Sequence, residues 1–131
     1  MRFLGIDYGK RKVGFAISEG LTASPYKVIN ISSLKDALAQ VLQILLKENI
    51  DRVVIGVPES GEALNITKKF IAELTKIQPP RFDIVEVAET LSSQGAKAQM
   101  IEQGLGKKSR ATEDAYSATI ILQDYLDSQK A

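Results

Sequence analysis

Phe3-Leu4-Gly5-Ile6-Asp7-Tyr8-Gly9-Lys10-Arg11-Lys12-Val13-Gly14-Phe15-Ala16-Ile17-Ser18 sets the architecture of this chain. Residues 3–6 form an uncharged apolar run that stops at Asp7, and residues 13–18 form a second. Two strand-length runs separated by a Gly-containing polar turn predict a β-hairpin. The first run has no polar face, so its strand is expected at the centre of a sheet, covered on both sides. An ionised carboxylate at the end of such a strand is costly unless it is paired or binds a metal. Asp is also a common turn residue. Asp7 therefore reads either as a turn cap or as a ligand.

The chain has 131 residues, enough for one core, and a single domain over 1–131 is expected. It contains no Cys and no His. That excludes a disulfide framework, thiolate metal sites, His general bases, His-based triads and His-ligated zinc. A metal site built from this alphabet uses oxygen ligands, which favours Mg²⁺ or Mn²⁺. No apolar run approaches the roughly 18 residues of a membrane helix, and no signal-peptide segment opens the chain. No membrane association and a cytoplasmic location are expected.

The net charge is only +1, from 17 basic against 16 acidic residues. Overall charge thus argues for no polyanion partner, but its distribution is uneven. Lys10, Arg11 and Lys12 cluster in the first turn, and Lys107, Lys108 and Arg110 cluster late. Brought together they would form a phosphate-binding surface; apart, each is a solvated loop.

Beyond the hairpin, Pro25 predicts a loop over 21–26 and an edge strand over 27–31. Ser32 or Ser33 suits a helix N-cap, and Leu34, Ala37, Leu38, Val41, Ile44 and Leu45 recur at helical spacing. That helix should end near Asn49, a residue that tolerates the left-handed conformation. A buried-type strand over 52–57 stops at Pro58, and Glu59-Ser60-Gly61 reads as a tight turn. A helix over 63–77, a strand over 82–87, a helix over about 93–103 and a last helix capped by Thr112 follow. A meander followed by βα crossovers predicts an α/β fold with a mixed sheet and helices on both faces.

Ligands of such sheets sit beyond the carboxyl ends of the parallel strands. Asp7, Glu59 and Glu89 fall at or just past those ends, and Glu113 and Asp114 open the last helix. If that helix packs on the first strand, Asp7, Glu89 and Asp114 converge. Clustered carboxylates raise one another's pKa, and a divalent cation relieves the repulsion. Taken singly, each has a plainer role: Glu113 and Asp114 complement the helix dipole, and Glu59 and Glu89 are turn or loop acids.

These motifs resemble the YqgF/RuvX family along essentially the whole chain. Leu4-Gly5-Ile6-Asp7-Tyr8-Gly9 and the run to Ser18 are similar to its opening signature. Val54-Ile55-Gly56-Val57-Pro58 is similar to its Gly-hydrophobic-Pro motif. Glu89-Thr90-Leu91-Ser92-Ser93 resembles its acidic segment, and Asp114-Ala115-Tyr116-Ser117-Ala118-Thr119-Ile120-Ile121-Leu122 its closing helix. The resemblance implies an RNase H-like fold with a five-stranded mixed sheet in the order 3-2-1-4-5. It implies a nuclease that trims the 5′ end of precursor 16S ribosomal RNA on ribosome assembly particles, as monomer or homodimer. By motif position it implies Asp7, Glu89 and Asp114 as catalytic acids and ligands of Mg²⁺ or Mn²⁺; beside such acids, the clusters Lys10, Arg11, Lys12 and Lys107, Lys108, Arg110 are expected to hold the flanking phosphates of the nucleic acid. Ala88 stands where the family usually has Asp, Thr90 where it usually has Arg, and the loop after Pro58 is shorter. These departures bear on how nucleic acid is held and leave the three acids intact.

Two alternatives stay within nucleic-acid binding: a Holliday junction resolvase acting on branched DNA, and a non-catalytic adaptor. A third, an actin-like nucleotide-binding module, also begins with Asp-x-Gly but needs two lobes, for which this chain is too short.

Overall fold

Strand β1 (Phe3–Tyr8) runs through the middle of a five-stranded sheet. The computed structural model describes residues 1–77, 81–89 and 110–129, the side chains of 110–114 excepted. The hairpin forms as expected: β1 pairs antiparallel with β2 (Lys12–Ser18), Asp7 opposite Gly14. The Gly9 N–H donates to the Lys12 carbonyl at 3.0 Å and closes the turn. β3 (Ala23–Asn30) follows at one edge, and β4 (Arg52–Val57) and β5 (Asp83–Ala88) add parallel strands on the other side of β1. The order is β3-β2-β1-β4-β5, the order the resemblance implied.

Each face has its own apolar layer because side chains alternate along a strand. Leu4, Ile6, Val13, Phe15, Val53 and Ile55 face α1 (Leu34–Lys47) and α2 (Gly61–Thr75). Phe3, Ala16 and Val54 face α3 (Arg110–Ser128), which lies alone on the other side among the described residues. Ala118, Ile121, Leu122, Tyr125 and Leu126 form its buried stripe. Polar ties pin the end of α3. Arg52 donates to the Tyr125 hydroxyl at 2.8 Å, and Gln123 accepts from the Ala23 N–H at 2.8 Å. The Phe3 and Tyr125 rings meet at 6.1 Å between centroids.

The sequence-based bounds need five corrections. β3 begins at Ala23, earlier than expected, and carries Pro25 within it opposite Ala16. An edge strand tolerates the missing N–H, and the register shifts just there, between Phe15 and Ala16. Ser60-Gly61 leads directly into α2 rather than forming a separate turn. α2 ends at Thr75, and β5 begins at Asp83 rather than Phe82. Thr112 lies inside α3, which starts at Arg110. By contrast, Ser33 caps α1 through the Asp36 N–H at 3.1 Å, and Asn49 takes φ 53° beyond it. The expected helix over 93–103 lies outside the described residues.

Candidate active site

Alternation places Asp7 on the face of Phe3 and Gly5, the face that α3 covers. Across the sheet Asp7 is flanked by glycine on both sides. Gly14 is its partner on β2, and Gly56 is the next position on β4 after the Ile6–Ile55 pair. The carboxylate therefore rises between two cross-strand residues that carry no side chain of their own.

Glu89 arrives from the other side of Gly56. Val85 and Val87 pack toward α3, and the same alternation carries Glu89, just past β5, to that face. Its backbone N–H donates to the Val57 carbonyl at 2.9 Å. Its side chain folds over Gly56, with Oε1 3.0 Å from where a Cβ would stand. Asp7 and Glu89 thus share one face at the carboxyl ends of β1 and β5, with β4 and its Gly56 between them. Ala88 points the opposite way, so the family's usual acid at that position would lie off this face.

Asp114 lies in the early part of α3, and its side chain is outside the described residues. The backbone geometry can still be followed. α3 runs antiparallel to β1, with Tyr125 over Phe3 and Ala118 and Leu122 over Gly5. Two strand residues advance about 6.7 Å, or about four to five helical residues. The next such step reaches the turn of α3 that follows Asp114, close to the level of Asp7. Gly5 makes this approach possible: a Cβ there would stand 2.8 Å from Leu122 Cβ and 2.9 Å from the Ala118 carbonyl oxygen.

The basic turn borders the same place. Asp7, Gly9, Lys10, Arg11 and Lys12 line an open concavity of about 370 Å³. Lys10, Arg11 and Lys12 are exposed. Lys10 pairs with Glu62 of α2 at 3.0 Å, an ion pair that composition and motif could not disclose. Tyr8 anchors the turn from the other face, stacked on buried Phe70 at 4.2 Å and 14°. Burial there pushes its hydroxyl pKa above the ordinary tyrosine value. Glu59 is exposed in the turn between β4 and α2. Lys107 and Lys108 lie outside the described residues, as does the side chain of Arg110.

Among the described residues no three carboxylates cluster as a metal site. Asp7 and Glu89 nonetheless fit one: the donors are oxygens only, on one face, with a space above Gly56 that a carboxylate already enters. Such donors suit a hard divalent cation.

The sheet order and the carboxylates at its strand ends define an RNase H-like α/β protein. Solved structures agree on the fold. The fowlpox virus resolvase in complex with Holliday junction DNA superposes with TM-score 0.66 at 16% identity over 100% of both chains. Thermus thermophilus RuvC in complex with a Holliday junction substrate gives 0.62 at 18%, over 100% of this chain and 96% of that one. The family described as "RuvX: Holliday junction resolvase" matches residues 1–128, and the chain belongs to it. Relatives named "Putative pre-16S rRNA nuclease" span nearly the whole chain. The Flavobacterium johnsoniae protein is 33% identical over 98% of both chains. The Ruminiclostridium cellulolyticum protein is 35% identical over 97% of this chain and 94% of its own length.

Proposed function

We propose that the chain is a metal-dependent nuclease that hydrolyses phosphodiester bonds, with precursor 16S ribosomal RNA as substrate during ribosome assembly. The observation that supports this reading is Glu89 folded over Gly56, the glycine next to Asp7 across the sheet, on the face that α3 covers. Family membership and the names of the relatives support it.

Asp7, Glu89 and Asp114 would hold Mg²⁺ or Mn²⁺. When bound, the cation supplies charge stabilisation for the phosphodiester and a nucleophilic water at neutral pH. The chain's own residues do the rest. The central strand fixes Asp7. Val57 holds the Glu89 backbone. Arg11 and Lys12, with Lys10 once released from Glu62, neutralise flanking phosphates and set the strand's position. Lys107, Lys108 and Arg110 extend that surface in this reading.

The substrate is tested by offering the purified protein precursor 16S ribosomal RNA and a four-way DNA junction side by side, each with Mg²⁺ or Mn²⁺. Cleavage of the RNA near its 5′ end is expected. Cleavage of the junction alone would assign the resolvase activity instead. Binding of RNA without cleavage of either, unchanged by EDTA, would assign an adaptor.

A further inference from the structure

We propose that Gly56 is a positioning residue of this site: its missing side chain is the seat of Glu89. The proposal rests on the nuclease reading and concerns how one of its carboxylates is held.

Glycine inside a strand weakens it and marks a bulge, a bend or a close approach. Gly56 needs no unusual backbone. The positive-φ glycines among the described residues are Gly20 and Gly61, and a Cβ on Gly61 would meet nothing within 4 Å. Gly61 is there for conformation and Gly56 for space. A Cβ on Gly56 would run into Ile121 Cδ1 of α3, and would stand 3.0 Å from Glu89 Oε1 and 3.1 Å from Glu89 Cγ. The Glu89 backbone is tied to Val57, and from there its side chain lies across Gly56. A methyl group there forces Glu89 Cγ and Oε1 to give by a few tenths of an ångström and shifts the carboxylate from its seat.

The two contacts separate cleanly. Gly56 could serve helix packing alone, through Ile121. Ile121→Val deletes the Cδ1 atom that the new methyl would strike and leaves the Glu89 contact in place. The experiment compares wild type, Ile121→Val, Gly56→Ala and the double variant. Thermal unfolding reports folding, calorimetry reports Mn²⁺ affinity, and anisotropy in EDTA reports RNA affinity; kcat and KM are measured alongside.

Ile121→Val should keep Mn²⁺ affinity within about twofold, the scatter of independent sites. The double variant should regain the stability that Gly56→Ala loses. Its Mn²⁺ affinity and kcat should still fall about 10- to 100-fold, the usual effect of disturbing a ligand's support, with RNA affinity and KM within about twofold. Adding Glu89→Ala to the double variant should cost nothing further in Mn²⁺ affinity. If the double variant does not fold, Glu89→Ala should restore folding, since it empties the seat; failure to do so overturns the proposal. A folded double variant with wild-type Mn²⁺ affinity and kcat also overturns it, and assigns Gly56 to helix packing. Wild-type protein that binds no Mn²⁺ would overturn the nuclease reading, and this proposal with it.

Discussion

Gly5→Ala tests whether α3 is seated on the bare backbone of β1. The new Cβ would stand 2.8 Å from Leu122 Cβ, whereas ordinary contact begins near 3.4 Å, so the gap must open by about 0.6 Å (3.4 − 2.8). The Ala118 carbonyl oxygen at 2.9 Å belongs to the helix backbone and cannot rotate aside, so α3 must move as a body. Overpacking of this kind costs about 1–3 kcal/mol. Lost freedom of the unfolded chain offsets about 0.4–1 kcal/mol; the middle of each range leaves a net loss of about 1–2 kcal/mol. For 131 residues the unfolding entropy is about 0.28 kcal/mol/K, so Tm should fall by about 4–7 °C. The displaced helix carries Asp114, and misplacing a reacting group by about 1 Å can cost about a hundredfold in rate. A tenfold or greater fall in kcat, on the order of what half that shift implies, should accompany the Tm loss, with KM for RNA little changed. Calorimetric unfolding and steady-state cleavage measure both. Wild-type Tm together with wild-type kcat would refute the close-approach reasoning.

The other expected outcomes concern the surface and the caps. Replacing Lys10, Arg11 and Lys12 together by Gln should weaken RNA binding and flatten its dependence on log salt by about 0.7 per lost phosphate contact; an unchanged slope would remove the turn from the interface. Glu62→Gln frees Lys10 and should tighten RNA binding by less than about fivefold, since an exposed pair is worth below about 1 kcal/mol. Weaker binding would mean that Glu62 helps rather than competes. Ser33→Ala should cost about 1 kcal/mol, because its side chain caps α1, while Ser60→Ala should cost far less, because the Ser60 side chain makes no cap hydrogen bond. Equal losses of Tm would contradict that contrast.

Much of the fold was legible because the signals were local. The apolar run at 3–6 has no polar face, and β1 is indeed central. Ser33 and Asn49 announce the ends of α1 through chemistry that needs no tertiary partner. Pro25 misled because its cost depends on whether the strand lies at an edge and on the neighbouring irregularity. Thr112 misled because a capping residue also occurs inside helices. Asp7 and Glu89 were singled out from their strand-end positions, and both do lie at strand ends. The glycines that make room for the site were not, since Gly5 and Gly56 gain their meaning from α3 and Glu89, far away in sequence. The Lys10–Glu62 pair was illegible for the same reason.

The central claim is that Asp7 works as a metal ligand in hydrolysis and not as a turn cap. The most direct measurement is Mg²⁺- and Mn²⁺-dependent cleavage of precursor 16S ribosomal RNA by Asp7→Asn, alongside its unfolding curve and its RNA affinity in EDTA. Asparagine keeps the shape and the capping oxygen but removes the charge. Cleavage reduced by more than about a hundredfold, with Tm and RNA affinity preserved, is the expected result. Cleavage at the wild-type rate would contradict the claim and return Asp7 to the turn.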